Sequence, residues 1–297
     1  MKSAVLFLVF NRPDTTQQVF DAIRVAQPPR LYIAADGPRP GKAGEMERCL
    51  KTRRIVTNVD WACEVKTLYR DENLGCKIAP SSAINWFFEN EEMGIILEDD
   101  CCPSKDFFKY CDWALDTYKN EKMVWHINGN NFNQALLDQP LLSFVALASV
   151  WGWATWRDRW SKYIENPFDL AEAIRNEDVI WSISRIASII KKNHIFDLQK
   201  GLDAWGYQWQ IAILRHSGLC LTCNSNLISN IGDGIDATHT FIDDRVRLPT
   251  QPIVGTLTYA KPVLDVRLTR WFERKMGLCD FRSAVKIFLK TALRISK

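Results

Sequence analysis

The chain lacks the glycine signatures of the commonest nucleotide-binding folds. Its 14 glycines form no G-x-G-x-x-G after the first apolar run, where Asn11-Arg12-Pro13 stands, and no G-x-x-x-x-G-K-[ST] anywhere. A dinucleotide-binding dehydrogenase and a P-loop ATPase are thereby disfavoured. No G-x-S-x-G nucleophile elbow occurs, and no apolar run reaches the ~18 residues of a membrane span. Cys220-Leu-Thr-Cys223 has no second pair at zinc-ribbon distance, and structural zinc normally takes four ligands. It reads as a buried strand carrying two thiols, and Cys101-Cys102 reads as packing. The nine cysteines are an odd number, so they cannot all pair internally. Without a secretory pattern they read as thiols in a reducing compartment. Internal repeats and low-complexity linkers are absent too.

A general basic surface is also missing. Residues 265–297 hold nine Lys or Arg against three Asp or Glu, a balance of +6 in a chain of net +3, so residues 1–264 carry −3. A nucleic-acid partner is not expected from such a distribution.

What is present is ordinary globular material: 297 residues, 47% hydrophobic and 25% charged, enough for one α/β body with elaborations. Ala4–Phe10 is short, β-prone and stopped by Pro13. It reads as a buried first strand, with a signal peptide as the weaker alternative. Strands are expected at 5–10, 30–35, 64–69 and 94–98, alternating with helices at 15–26 (Asp14 as N-cap), 43–59, 78–90 and 105–119. That alternation predicts a mostly parallel sheet with helices on both faces. Further on, 124–127 reads as a strand, 168–198 and 203–216 as helices, and 220–227 as a strand. Trp153, Trp156 and Trp160 read as one helical face, as do Trp205 and Trp209; both stripes are expected in the core.

In parallel sheets ligands sit beyond the carboxyl ends of the strands. Polar clusters fall there four times: Asn11-Arg12, Asp36, Arg70 to Asn73, and Glu98-Asp99-Asp100. The acidic triplet is the sharpest feature. Adjacent carboxylates repel unless a cation or donors offset them, and hard divalent cations accept such oxygens together with water and phosphate. The plainer alternative is an acidic turn with a helix cap. Asp203 is either the cap of the helix it precedes or a general base at a cleft edge. His239 is either a loop ligand or simply exposed.

These residues in this order resemble nucleotide-sugar-dependent glycosyltransferases of the GT-A fold, in particular bacterial sugar transferases related to the alpha-mannoside β-1,2-N-acetylglucosaminyltransferase I group. The resemblance runs over about residues 3–242. It rests on Val9-Phe-Asn-Arg-Pro13, Ala35-Asp-Gly-Pro38, Asn73-Leu-Gly75, Ile96-Leu-Glu-Asp-Asp100 with Pro103 and Phe107-Phe108, Trp151-Gly-Trp-Ala-Thr-Trp156, Asn230-Ile-Gly232 and Thr238-His-Thr240. It implies a GT-A (Rossmann-like) sheet with a nucleotide-sugar half at 1–125, an acceptor half at 126–250 and a C-terminal helical extension at 251–297. It implies that Asp100 binds Mn²⁺ or Mg²⁺ on the donor diphosphate, with His239 as a late metal or phosphate contact. Glu98 and Asp99 would touch the donor sugar and ribose, and Asp36 the base or ribose. Asn11, Arg12, Arg70 and Asn73 would border the nucleotide. Asp203 would be the general base of an inverting transfer to a glycan or lipid-linked glycan in bacterial surface polysaccharide synthesis. The downstream half matches less closely than the acidic motif.

Lys286, Lys290, Arg294 and Lys297 fall on one helical stripe beside Val285, Phe288, Leu289 and Ala292. A basic amphipathic helix of that kind lies on an anionic membrane surface or packs on the body. The expected location is cytoplasmic, or peripheral on the cytoplasmic face of the inner membrane. Two other functions remain open: a sugar-phosphate nucleotidylyltransferase, and a glycan- or nucleotide-binding module without turnover.

Overall fold

A computed structural model describes residues 1–132, 140–165, 203–232 and 248–275. The expected helix at 168–198, His239 and the 286–297 stripe lie outside the described residues.

Ala4–Val9 forms β1, the continuous apolar run typical of a strand covered on both faces. Leu6, Leu8 and their neighbours enter one core, and Val5, Phe7 and Val9 the other. Helix α1 (Pro13–Ala26) follows, then β2 (Arg30–Ala35), α2 (Glu45–Val56), β3 (Glu64–Tyr69), α3 (Gly75–Asn90) and β4 (Met93–Glu98). A short β5 (Cys101–Pro103) precedes α4 (Lys105–Tyr118), β6 (Val124–Asn128), β7 (Leu142–Val145), β8 (Trp153–Trp156) and α5 (Arg157–Trp160). After the undescribed stretch come α6 (Gly206–Arg215), β9 (Leu219–Cys223), β10 (Ile228–Asn230) and α7 (Val266–Lys275).

One sheet joins both halves of the chain in the order β3-β2-β1-β4-β8-β6-β9-β7, while β5 and β10 form a small second sheet. The pairs β3/β2, β2/β1, β1/β4 and β6/β9 are parallel; β8 and β7 run against their neighbours. This is the expected α/β architecture, a large mostly parallel sheet flanked by helices. Edge strand β3, Glu-Val-Lys-Thr-Leu-Tyr, alternates in character and is the least buried of the first four.

Three expectations give way. Asp14 does not cap α1. Pro13, whose fixed φ and missing N–H suit a first helical position, starts the helix two residues earlier with Arg12 as N-cap, and Asp14 sits in the first turn. Trp153 and Trp156 do not share a face. They belong to a strand, so three residues apart they point to opposite sides, Trp153 into one core and Trp156 into the other. Asp203 does not cap α6, whose N-cap is Trp205. The Cys220/Cys223 strand is as expected, both thiols buried, and all eight described cysteines are free.

The core on the α3 side gathers Trp125, Trp153, Trp160, Trp205 and Trp209. At its centre stands His126, which sequence reading passed over. Its ring stacks on Trp153 with centroids 4.8 Å apart. Its Nδ1 accepts from the Trp209 indole at 3.1 Å, and its Nε2 donates to Ser149 O at 3.0 Å. Burial keeps this imidazole neutral and pushes its pKa down to about 3. A folded pKa below the unfolded one means stability that is full at neutral pH and is lost as pH falls from about 6.5 towards 3. Urea denaturation between pH 7 and pH 4 is therefore expected to show an acid slope that His126→Phe flattens. The same variant loses ~1–3 kcal/mol at neutral pH for each polar group it orphans. Parallel slopes for the two proteins would remove His126 as the cause.

Candidate functional site

The four polar clusters do meet at one edge of the sheet. Register places Leu8 beside Glu98, Val9 beside Ala35 and Ala35 beside Tyr69, so the residues that follow β1 to β4 emerge together. Strand order reverses between β1 and β4: β2 and β3 continue on one side of β1, and β4 lies on the other. Ligands bind at such a switch point, between loops that leave in opposite directions. Arg12 follows β1, and Glu98 ends β4 with Asp99 and Asp100 after it, so among the described residues Arg12 faces three carboxylates across this crevice.

Arg12 Nη1 lies 2.7 Å from Asp100 Oδ2 and 3.6 Å from Asp99 Oδ1. Asp99 Oδ2 also accepts the Phe10 N–H at 3.1 Å. Asp100 Oδ1 accepts from the Cys101 thiol at 3.3 Å, and the Trp205 side chain faces Glu98 and favours its charged form. Burial raises the pKa of Glu98, and Asp100 and Asp99 add to the rise against Arg12 and Trp205. Burial likewise raises that of Asp99, with Arg12 opposing. The Arg12 guanidinium is held charged by Asp99 and Asp100 in spite of its own burial. Gly232 closes over the site, because a Cβ there would stand 2.2 Å from Asp100 Oδ2. The β5/β10 pairing enforces that approach through Ile231 N–H on Asp100 O.

The other expected residues are nearby but engaged with the protein. Asp36 Oδ1 accepts N–H bonds from Gly37 and Leu74 at 3.0 Å, and its Oδ2 accepts from Asn73 Nδ2 at 2.9 Å and Gly75 N at 3.2 Å. Asp36 and Asn73 thus tie the β2 and β3 loops to each other. Arg70 Nη2 donates to Ser82 Oγ at 2.6 Å. Asn11 Nδ2 donates at 2.9 Å to Glu45, a fully buried carboxylate that Arg39 also clamps. Arg39 is the main reason the Glu45 pKa is lowered. Glu45 was missed by sequence reading; its one signal was an acidic residue in the first turn of a helix.

Asp203 caps a helix, but α3 rather than its own. Its Oδ2 accepts Cys76 N–H at 2.9 Å and its Oδ1 accepts Lys77 N–H at 2.8 Å. Gly75 permits this with a left-handed φ of +80° and no Cβ, which would lie 2.7 Å from Asp203 Oδ2. Each oxygen keeps a lone pair. Asn130, just past β6, is a second residue that sequence reading missed: among the described residues both ends of its buried amide lack a hydrogen-bond partner.

Among the described residues no three His, Cys, Asp or Glu side chains converge as a metal cage. The donor set at Asp99 and Asp100 still suits a hard cation that draws its remaining ligands from water and phosphate. Glu98 and Asp99, whose pKa values rise through burial and neighbouring carboxylates, are groups a cation would relieve.

No family model matches the chain, and no curated protein does. Among solved structures, HddC from Yersinia pseudotuberculosis aligns at 11% identity and a TM-score of 0.30, over 43% of this chain and 58% of HddC. The chain thus spans little more than half of HddC. A UDP-glucose pyrophosphorylase solved with UDP-glucose aligns at 8% identity and a TM-score of 0.36, over 75% of this chain and 90% of that one.

A carboxyl that stays protonated in the folded state and ionises in the unfolded chain makes stability fall as pH rises between the two pKa values. For Glu98 that window runs from the ordinary 4.5 to about 8. Glu98→Gln is therefore expected to gain in melting temperature over the parent across that window, measured without metal, and to hold a constant gap above it. A gap that does not change with pH would mean Glu98 is ionised throughout.

Proposed function

We propose that the protein is a metal-dependent GT-A glycosyltransferase that moves a sugar from a nucleoside-diphosphate donor to a hydroxyl of a glycan or lipid-linked glycan, in surface polysaccharide synthesis. The observation that carries this reading is the acidic triplet at the switch point of the sheet, three carboxylates against Arg12, the one cation paired with them among the described residues. Mn²⁺ or Mg²⁺ held by Asp100, with Asp99 beside it, would supply charge stabilisation for a departing diphosphate. Arg12 flanks the same position and adds a fixed positive charge. Glu98, anchored by Trp205, lies where a donor hydroxyl can be oriented. Asp203, held by two N–H bonds of α3, takes the proton of the acceptor hydroxyl as it attacks the anomeric carbon. A single displacement of this kind inverts that carbon. The polar loops Asp36–Gly37 and Asn73–Gly75 brace one another and form the floor on the nucleoside side.

The solved proteins named above keep a sugar-phosphate nucleotidylyltransferase as the second reading. Against it stands Asn11-Arg12-Pro13 after β1, where a Gly-rich loop bearing Arg and Lys would be needed. A thermal-shift screen of UDP-, GDP-, dTDP- and CMP-linked ligands with and without Mn²⁺ tests the proposal, since a ligand of the folded state raises its stability. The expected result is a metal-dependent shift that Asp100→Ala abolishes, accompanied by slow release of nucleoside diphosphate from the matching donor. Pyrophosphate formed from a nucleoside triphosphate and a sugar 1-phosphate would install the second reading. Metal-independent affinity without turnover would make the protein a binding module.

Asp203 can be tested separately. Asp203→Asn is expected to lower kcat by about 10²–10⁴ while leaving donor affinity intact. Asp203→Ala is expected to lose in addition ~0.5–2 kcal/mol of stability with the α3 cap. An Asn variant with unimpaired kcat would reduce Asp203 to the cap alone.

A further inference from the structure

Helix α7 buries Leu268, Thr269, Phe272 and Glu273 against the body. Its other face carries Arg267, Arg270 and Arg274, at i, i+3 and i+7, all exposed. No carboxylate bridges any of the three among the described residues. Beside them stand half-buried Trp271 and two exposed valines, Val263 at 62% and Val266 at 41%. Among the described residues these three guanidiniums, with an indole edge and aliphatic side chains beside them, meet no opposite charge. The charge of the molecule is polarised in the same sense: residues 265–297 carry +6 and the rest −3.

The place of this face matters as much as its charge. Asp265 N–H bonds Phe144 O at 2.7 Å, which docks the helix on edge strand β7. Phe272 then meets Phe132 with ring centroids 6.1 Å apart, and Phe132 meets Trp151 at 5.4 Å. Phe132 follows Asn130 and Asn131 past the carboxyl end of β6. β6 points the same way as β1 and β4, so α7 reaches the sheet edge at which Arg12, Asp99 and Asp100 stand. It does so on the side away from the nucleoside floor, where an acceptor would enter.

We propose that this face of α7 docks the protein on an anionic membrane surface, with Arg267, Arg270 and Arg274 among the lipid headgroups and Trp271, Val263 and Val266 at the acyl boundary. An indole and short aliphatics at that depth, with cations in the headgroup layer, are the side-chain classes an interface selects. The inference rests on the glycosyltransferase reading only in naming the acceptor, which becomes a lipid-borne one delivered at the cleft mouth. The docking itself needs no donor.

The test is flotation of the full chain with phosphatidylcholine vesicles, with and without about 30 mol% phosphatidylglycerol, which supplies the negative surface potential. Binding is expected only with the anionic lipid and is expected to weaken at high salt. The triple variant Arg267→Gln, Arg270→Gln, Arg274→Gln is expected to bind on the order of 100-fold more weakly, at about fivefold per charge, with an unchanged melting temperature because all three side chains are exposed. A control that removes the same charge elsewhere, Lys42→Gln with Lys51→Gln and Lys105→Gln, is expected to bind as the parent does. The proposal is overturned if the parent ignores phosphatidylglycerol, if the α7 variant binds undiminished, or if the control falls as far. Nucleoside diphosphate release from a soluble donor should be the same in the parent and the α7 variant. Loss of turnover in both with vesicle binding intact would fault the glycosyltransferase reading and leave the docking standing.

Discussion

Three consecutive carboxylates are packed behind one guanidinium at the point where the sheet reverses its order, and the candidate site follows from that imbalance. Arg12 satisfies Asp100 closely and Asp99 only at longer range. The remaining negative charge is accommodated in part by protons, because burial raises both Glu98 and Asp99. A site that holds protons against its own acidity in the absence of ligand is one that a cation can occupy by displacing them. Such clusters cost stability when left alone, and perturbed carboxyls gather where chemistry is done.

The scaffold around this cluster is made largely of other carboxylates doing structural tasks. Asp36 and Asp203, far apart in the chain, both accept N–H groups at the start of α3. They satisfy donors that a helix start leaves unpaired, and in doing so they fasten the β2 loop and the entry to α6 to the same turn. Glu45 does the same for the loop after β2, drawing in Asn11 and Arg39. A polar residue near a cleft is thus not by itself a ligand contact. Here Asp36 and Asp203 are spent on backbone N–H groups, whereas Asp99 and Asp100 share the charge of one guanidinium.

Much of the fold was legible because parallel strands buried on both faces read as unbroken apolar runs: Arg30–Ala35 stands where expected, and Ala4–Val9 and Met93–Glu98 within one residue, while the edge strand Glu64–Tyr69 was legible from its alternation. The common edge of the four polar clusters followed from that alternation. Less legible was anything that depends on period or on distant partners. Trp-Ala-Thr-Trp is apolar at both ends in either period, and only pairing with β4 and β6 makes it a strand whose tryptophans part company. Asp203 looked like a local cap because N-cap residues usually serve the helix they precede. Its real partners lie 126 and 127 residues away. His126 gave no signal, since a lone histidine in an apolar run shows nothing of the indole and carbonyl that will flank it.

The two parts of the proposed mechanism are physically joined. Trp205 faces Glu98 and favours its charged form, and it stands two residues from Asp203, whose carboxylate is fixed on α3, whose first turn is fixed in its turn by Asp36. The path from Glu98 through Trp205, Asp203 and the α3 start to Asp36 therefore links the loops after β2, β3 and β4 with the entry to α6. Trp205 also packs on Trp153 with ring centroids 5.7 Å apart, so the path is backed by the core rather than by solvent. A change at Glu98 that frees the indole moves the residue proposed as base, and truncation of Asp203 to Ala, unlike the isosteric Asn, loosens the turn that Asp36 holds. Groups coupled this way do not contribute additively. The geometry of proton removal and that of donor binding are therefore set by one network, and an acceptor meets a base whose position already depends on the donor side of the cleft.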